Sequence, residues 1–224
     1  MKKILSSILC LVVLLLAAPL LRAQDLSKYR HFTLGMNLNT VLKHTDQKAA
    51  DVKVVHSRPG LMQELTWWPP TLPGNSLQAD TVEQILFSFY NGELYKISVT
   101  YDPSLTEGLT AEDMEKSISD KYGPATYVAL AIDTVKNDQF EETQMPVASW
   151  DDAQYSFQLV RSAFSTHLGL VIYSKRVNAE AALATAEAVQ LEKQEGPQRE
   201  AERQKKQADD LEVAREKNQK SFRP

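Results

Sequence analysis

Apolar and polar residues alternate along much of the region from about 28 to 176, and this pattern predicts β-strands with one buried face. Its clearest instance surrounds Asn91-Gly92, because Ile85, Phe87 and Phe89 alternate before this pair and an apolar run alternates after it. An Asn-Gly pair between two such runs predicts a tight antiparallel hairpin. Further alternating or apolar runs occupy 52–54, 61–68, 95–101, 128–132, 155–159 and 168–172.

Two short segments have the pattern of a capped helix. Asn37 and Thr110 each follow a glycine and an apolar residue, and either side chain can accept a hydrogen bond from a free amide of a first helical turn. The apolar pairs Met36 with Val41 and Leu109 with Met114 have the spacing of a hydrophobic staple. The first helix is predicted over about 38–45. The second follows Thr110, has Met114, Ile118 and Tyr122 on one face, and ends at Gly123-Pro124.

The order helix, then antiparallel strands, therefore occurs twice. Alternation implies that each sheet has one apolar face, which helices can cover. The predicted fold class is α+β, a two-layer sandwich of antiparallel sheet and short helices arranged as a tandem helix-plus-meander repeat. The predicted repeats are 24–107 and 108–176. Whether the two repeats share one sheet is left open by the pattern.

The two helix boundaries also carry a resemblance to known families. Gly35-Met36-Asn37, with Val41, resembles the helix start of the SmpA/OmlA outer-membrane assembly lipoproteins and of the tandem modules of β-lactamase inhibitory proteins. Lys121-Tyr122-Gly123-Pro124 resembles the helix end of the same modules. The resemblance implies a short helix packed on a meander, in families that work by binding other proteins. This chain departs from the lipoproteins because its mature part has no cysteine to lipidate.

The composition changes near Val177, after which the chain has no aromatic residue until Phe222. We expect 177–224 to be a charged tail, helical or disordered. Val177, Ala181, Ala184, Ala188 and Leu191 have the spacing of a short coiled-coil seam. Gly196-Pro197 is expected to break the helix that this seam predicts.

The first 23 residues have the layout of a secretory signal peptide. Lys2 and Lys3 precede a largely apolar stretch that contains Pro19, and Ala23 provides a small residue at a cleavable end. The predicted location is therefore periplasmic or extracellular. The alternative is an uncleaved N-terminal anchor in the inner membrane. Cys10 lies inside the apolar stretch after Leu9, which argues against lipidation.

Charge and cysteine content exclude several classes of function. Removal of residues 1–23 takes three basic residues and no acidic one, which changes the net charge from −4 to −7. Nucleic acids and anionic lipids require a basic surface, so neither is an expected partner. The only cysteine leaves with the signal peptide, so no disulfide, thiol nucleophile or thiolate metal site is expected.

No motif predicts a catalytic, cofactor or metal site. There is no nucleophile elbow, no glycine-rich phosphate loop and no zinc motif. Asp151-Asp152 and the acidic stretch 133–142 are candidate cation sites. Two adjacent carboxylates supply too few of the six or more oxygens that Ca²⁺ requires, and the spacing of 133–142 does not match a calcium loop, so solvated turns are expected. The four histidines lack metal-ligand spacing and are expected to be structural or exposed: His31, His44, His56 and His167.

The segment Trp67-Trp68-Pro69-Pro70-Thr71-Leu72-Pro73-Gly74 is the predicted binding surface, with Trp67, Trp68, Pro69, Pro70 and Leu72 as partner-binding residues. The alternatives are that both indoles are packed, one in the core and one under the loop, and that the open face of the sheet binds the partner. Consecutive residues of a strand point to opposite faces, so one indole can enter the core while its neighbour is exposed. Prolines stiffen the following loop. The expected function is that of an exported, non-enzymatic protein-binding module. Two alternatives are an enzyme or small-ligand carrier with a pocket between the halves, and a structural envelope protein that oligomerises through its tail.

The leader provides the first testable prediction. In a host that exports the protein, the signal peptide is expected to be cleaved after Ala23, so that the mature chain begins at Gln24. Intact-mass spectrometry and N-terminal sequencing of the exported protein check this. A full-length chain in the membrane fraction would instead support the N-terminal anchor.

Overall fold

The computed structural model describes residues 25–70, 80–126, 144–162 and 168–223. Within these residues the fold is α+β, as predicted. The strands are β1 (Lys28–Tyr29), β2 (Phe32–Thr33), β3 (Lys53–His56), β4 (Met62–Trp67), β5 (Val82–Tyr90), β6 (Glu93–Tyr101), β7 (Gln144–Asp151), β8 (Tyr155–Ser162) and β9 (Leu168–Ser174). The α-helices are α1 (Leu38–Thr45), α2 (Ala111–Tyr122) and α3 (Lys175–Ser221).

One seven-stranded antiparallel sheet organises the molecule, with the strand order β3-β4-β5-β6-β9-β8-β7. The strands β3–β6 form a meander after α1, and β7–β9 form a second meander after α2. The two meanders meet where β6 pairs with β9, with Val99 opposite Leu170 and Ile97 opposite Ile172. The question that the sequence left open is thereby answered, because the two halves share one sheet. The boundary between 107 and 108 stays a prediction.

Both short helices begin as the capping residues predicted. In α1, the Asn37 side chain accepts from the Thr40 amide at 2.9 Å. In α2, the Thr110 hydroxyl accepts from the Asp113 amide at 3.1 Å, and the Asp113 carboxylate accepts from the Thr110 amide at 2.9 Å, which completes a capping box. Gly123, at φ +91°, ends α2.

The main core lies between α1, α2 and one face of the sheet. It combines residues of both halves: among its fully buried members are Phe32, Val41, Leu65, Ile85, Phe87, Phe89, Leu94, Ile97, Phe157, Leu159 and Ile172. The Asn91-Gly92 hairpin is confirmed, and both of its turn residues have positive φ, at 50° and 82°. This is the backbone geometry that Asn and Gly accommodate best.

The long helix α3 covers part of the opposite face. Val177 and Ala181 pack with Met62 and Tyr95 in a second, smaller cluster. Met62 lies an odd number of residues from Leu65 of the main core, so it points to the other side of the sheet. Tyr95 follows Leu94 of the main core and is skipped by the β5–β6 register, which shifts at this point.

Ala184 and Ala188 are also buried, so four of the five positions predicted as a coiled-coil seam are covered. Val177 and Ala181 pack on sheet residues, and a coiled coil stays a prediction. Alanine lets the helix lie close to the sheet.

The predicted helix break at Gly196-Pro197 is wrong. The helix continues through Pro197 to Ser221, a total length of 47 residues. Proline deprives the Lys193 carbonyl of its helical donor and costs about 3 kcal/mol in a helix interior. Lys193 and Pro197 are both exposed, so water can satisfy that carbonyl.

A hydrogen bond and an ion pair attach α3 to the edge of the sheet just before this point. His56 Nδ1 lies 3.1 Å from Glu192 Oε1, and the Arg58 guanidinium lies 2.6 Å from Glu195 Oε2. The helix therefore crosses the sheet from β9 to the region of β3. Beyond these pairs, residues 197–221 are all exposed.

Two parts of the fold were missed by the sequence analysis. The β1–β2 hairpin consists of two-residue strands, which are too short to produce alternation. Strand β7 carries Pro146 and a register shift next to it, and both obscure its pattern. The strand predicted at 128–132 and the acidic loop at 133–142 lie outside the described residues.

Deletion of residues 197–224 tests whether the exposed half of α3 contributes to the stability of the sheet unit. We expect the melting temperature of the sheet unit to change by no more than a few degrees, because the deleted residues do not contact the sheet. Deletion of 175–224 is the contrasting variant, since it also removes Val177 and Ala181 from the second cluster. Thermal unfolding followed by near-ultraviolet circular dichroism measures both. A loss of ten degrees or more in the shorter deletion would contradict the prediction.

Candidate functional site

Strand β4 ends at Trp67, and Trp68 is the first residue after it, so the two tryptophans of the predicted binding surface have different surroundings. Trp67 pairs with Ile85 in the β4–β5 ladder and packs against the main core, where its ring meets Phe32 edge to face at 5.8 Å. Trp68 points the other way and is 61% exposed. The predicted opposition of the two indoles is therefore seen in the structure.

The residues after Trp68 differ in their surroundings. Pro69 is buried and Pro70 is exposed, whereas Leu72 lies outside the described residues. On the strand side, the Gln47 side chain donates a hydrogen bond to the Thr66 carbonyl at 2.9 Å. Trp68 is thus an exposed aromatic residue between two neighbours that are held in place. Binding of a partner by this surface stays a prediction.

Trp67 adjoins, through Phe32, an aromatic group formed by His31, Phe32 and His44. His31 lies against Phe32 with 4.1 Å between ring centroids, and His44 of α1 lies 5.1 Å from His31. Burial lowers the pKa of His31, and the neighbouring His44 and Arg30 lower it further. The His31–His44 contact was not apparent from the sequence, because the hairpin and α1 meet only in the folded chain.

These histidines do not form a metal site with other side chains that the structure describes. No group of three or more His, Cys, Asp or Glu residues with metal-binding geometry occurs in the described ranges. His56 is paired with Glu192 of α3, and His167 lies outside these ranges.

Asp151 and Asp152 have structural partners. Asp151 pairs with Lys175 at 3.0 Å, and hydrogen bonds from neighbouring groups, with Lys175, hold the pKa of its carboxyl below the ordinary value despite burial. The Asp152 side chain accepts from the amides of Gln154 and Tyr155 at 2.7 and 2.6 Å, which stabilises the β7–β8 turn.

A tyrosine cluster at the start of β5 was missed by the sequence analysis. Arg30 and Asp80 form a two-pronged ion pair with both distances at 2.6 Å, and the guanidinium lies 5.5 Å from the centre of the Tyr29 ring. Tyr101 belongs to the same cluster, since Tyr29 and Tyr101 each raise or lower the pKa of the other. The pairing residues Arg30 and Asp80 are far apart in sequence, so no spacing signal could have revealed the cluster.

The ionisation states of the groups in this cluster indicate a structural role. Burial raises the pKa of Tyr29, Tyr101 and Tyr122, the last to about 12, so all three phenols stay protonated near neutral pH. The Arg30 guanidinium lowers the pKa of the Asp80 carboxyl, which keeps the pair charged. The protonated phenols can donate hydrogen bonds, and the Asp80 carboxylate already accepts from Arg30 and from the Val82 amide.

A cleft of about 370 Å³ lies between the two halves. Residues of the first half, including Gly35 and Glu93, form one side, and Gln154 and Tyr155 lie on the other. This is the position that the small-ligand alternative requires. The one cationic side chain in the lining, Arg176, is already paired with Glu180 at 2.7 Å.

Comparison with known proteins adds no relative: no protein family, no curated protein and no solved structure matches this chain. The resemblance of the helix boundaries to the SmpA/OmlA and β-lactamase inhibitory modules therefore stays a prediction. Within the described ranges, no helix has the length and apolar character that a membrane crossing needs.

Substitution of each tryptophan by alanine distinguishes their roles. Trp67→Ala is expected to cost about 3 kcal/mol, because it removes a ring packed against Phe32 and the main core. That loss corresponds to roughly 6–12 °C in melting temperature for a domain of this size. Trp68→Ala is expected to change the melting temperature by no more than a degree or two, because the side chain is exposed. Thermal unfolding of both variants checks this, and equal large losses would mean that both indoles are structural.

Proposed function

We propose that this protein is an exported, non-enzymatic envelope protein that binds another protein through a surface centred on Trp68. The observation that carries the proposal is the 61% exposure of Trp68 directly beside a partly buried Trp67, which packs against the main core, and a buried Pro69. A large exposed aromatic residue on a supported backbone is the arrangement that protein-binding hot spots favour.

The support around Trp68 reduces the entropy that binding would cost. Trp67 is held by the core, Gln47 is hydrogen-bonded to the Thr66 carbonyl, and Pro69 has a restricted φ. A side chain that is already positioned loses little freedom on binding, so more of the contact energy appears as affinity.

The partner would be a protein with an apolar pocket deep enough for an indole. The charge of the mature chain disfavours nucleic acids and anionic lipid surfaces. The predicted signal peptide places the encounter in the periplasm or outside the cell. The resemblance to exported protein-binding modules points to the same class of function.

Quantitative capture tests the proposal. The mature protein is immobilised and exposed to the envelope and secreted fractions of the host, as wild type, Trp68→Ala and the control Leu109→Ala. Leu109 is also an exposed apolar side chain, 50% accessible, but it precedes α2 and is remote from β4 in sequence.

The expected result is that Trp68→Ala lowers capture of a specific protein about thirtyfold, the effect of a hot spot worth roughly 2 kcal/mol. Leu109→Ala is expected to capture as the wild type does. The proposal fails if the same proteins are captured to the same extent by wild type and Trp68→Ala.

A further inference from the structure

Two histidines from different elements meet at the surface of the first half. His31 lies in the turn between β1 and β2, and His44 lies in the last turn of α1. Their ring centroids are 5.1 Å apart, and the ring planes are inclined by 44°. Both side chains are exposed, so a solute can reach them. Neither residue belongs to the Trp68 surface proposed above.

The ring nitrogens of this pair are not used by the polar network of the fold. Among the residues that the structure describes, His31 and His44 have aromatic neighbours but no hydrogen bond or ion pair. His56 is different, because its Nδ1 atom is hydrogen-bonded to Glu192 at 3.1 Å. The two neighbouring imidazoles therefore have nitrogens available for a ligand.

Packing holds both imidazoles near each other before any ligand binds. The His31 ring lies 4.1 Å from that of Phe32, and the His44 ring lies 6.1 Å from the same ring. Phe32 is fully buried, and α1 is fixed by the buried residues Val41 and Leu42. Groups that are already positioned lose little conformational freedom on binding.

The separation of the rings is that of two imidazoles bound to one metal ion. Bonds of about 2.1 Å from the ion to nitrogen place each ring centroid roughly 3.2 Å from the ion, so two rings at the tetrahedral angle have centroids about 5.2 Å apart. The observed distance of 5.1 Å is close to this value. Exposed side chains can make the small rotations that turn both nitrogens toward a shared ion.

The charges around the pair also suit a cation. Partial burial lowers the pKa of His31, and the nearby His44 and Arg30 lower it further, so its ring is neutral near neutral pH. A metal ligand must be a neutral imidazole. Arg30 is paired with Asp80 at 2.6 Å, which offsets its repulsion of a cation. His44 lies at the C-terminal end of α1, where the helix dipole favours positive charge.

We propose that His31 and His44 together bind one divalent transition-metal ion, with water at its remaining coordination positions. Imidazole ligands suit Cu²⁺, Ni²⁺ and Zn²⁺, whereas Mg²⁺ and Ca²⁺ prefer oxygen ligands. Cu²⁺ is expected to bind most tightly of these ions, as it does at nitrogen sites in general. Because no third His, Cys, Asp or Glu joins the pair in the described ranges, the ion is expected to exchange with solvent.

Calorimetric titration with Cu²⁺ at neutral pH tests the site. Exported protein without a histidine tag is used, and Cys10→Ser removes the only thiol should the leader be retained. One ion per chain is expected. His31→Gln and His44→Gln are each expected to weaken binding tenfold or more, since even the outer-shell partners of metal ligands contribute that much.

Two controls separate this site from other binding. The double variant His56→Gln/His167→Gln removes the remaining histidines and is expected to bind Cu²⁺ as the wild type does. Titration with Mg²⁺ is expected to show no binding to the pair. Near-ultraviolet circular dichroism of the metal-free variants is expected to match the wild type, because both substituted side chains are exposed.

Thermal unfolding provides a second measurement. An ion that joins the β1–β2 hairpin to α1 binds the folded state alone, so saturating Ni²⁺ is expected to raise the melting temperature of the wild type by several degrees. Neither His31→Gln nor His44→Gln is expected to show this rise. Comparing each variant with and without the ion keeps the test valid even where a substitution lowers the basal stability.

Three outcomes would overturn the proposal. The first is a wild-type protein that binds none of Cu²⁺, Ni²⁺ and Zn²⁺. The second is binding that neither substitution weakens, which would place the ion elsewhere on the chain. The third is binding that depends on one of the two histidines alone, which would mean that they do not share an ion. None of these outcomes affects the Trp68 proposal, because Trp68 is not a ligand of the ion.

Discussion

The pairing of β6 with β9 is the interaction on which the rest of the structure depends. It joins two meanders that each form from local contacts, and it makes one core out of residues from both. Close approach of the strands requires Gly169, because a Cβ atom there would lie 2.5 Å from the Val99 carbonyl oxygen. A larger residue would separate the strands at the point where the two halves meet.

The single sheet has two faces, and they are covered by different means. Two short amphipathic helices close the main core with large apolar side chains, whereas α3 crosses the other face mainly on alanines. A contact made mainly by alanines buries little area, and the His56–Glu192 hydrogen bond and the Arg58–Glu195 ion pair add a second attachment where α3 passes the β3 edge. The first half of α3 therefore packs on the sheet, and residues 197–221 are exposed to solvent.

The proposed binding surface around Trp68 is not part of the core. Trp68 is exposed because strand alternation turns it away once Trp67 has entered the core. The end of α3 is exposed because the helix is longer than the sheet is wide. The Trp68 side chain is held in place because Trp67 packs against the main core and Pro69 is buried. Trp68 itself is exposed and therefore contributes little to stability.

The sequence by itself determined the local elements: the capped starts of α1 and α2, the Asn91-Gly92 hairpin, the inward seam of α3 and the opposite directions of Trp67 and Trp68. Each of these depends on residues a few positions apart, and short-range sterics and hydrogen bonding decide them. Only the tertiary structure decided that the halves share a sheet, that α3 continues through Pro197, and that Arg30 meets Asp80 and His31 meets His44. Those outcomes depend on contacts between distant segments and on exposure to water, and no local pattern of residues encodes them.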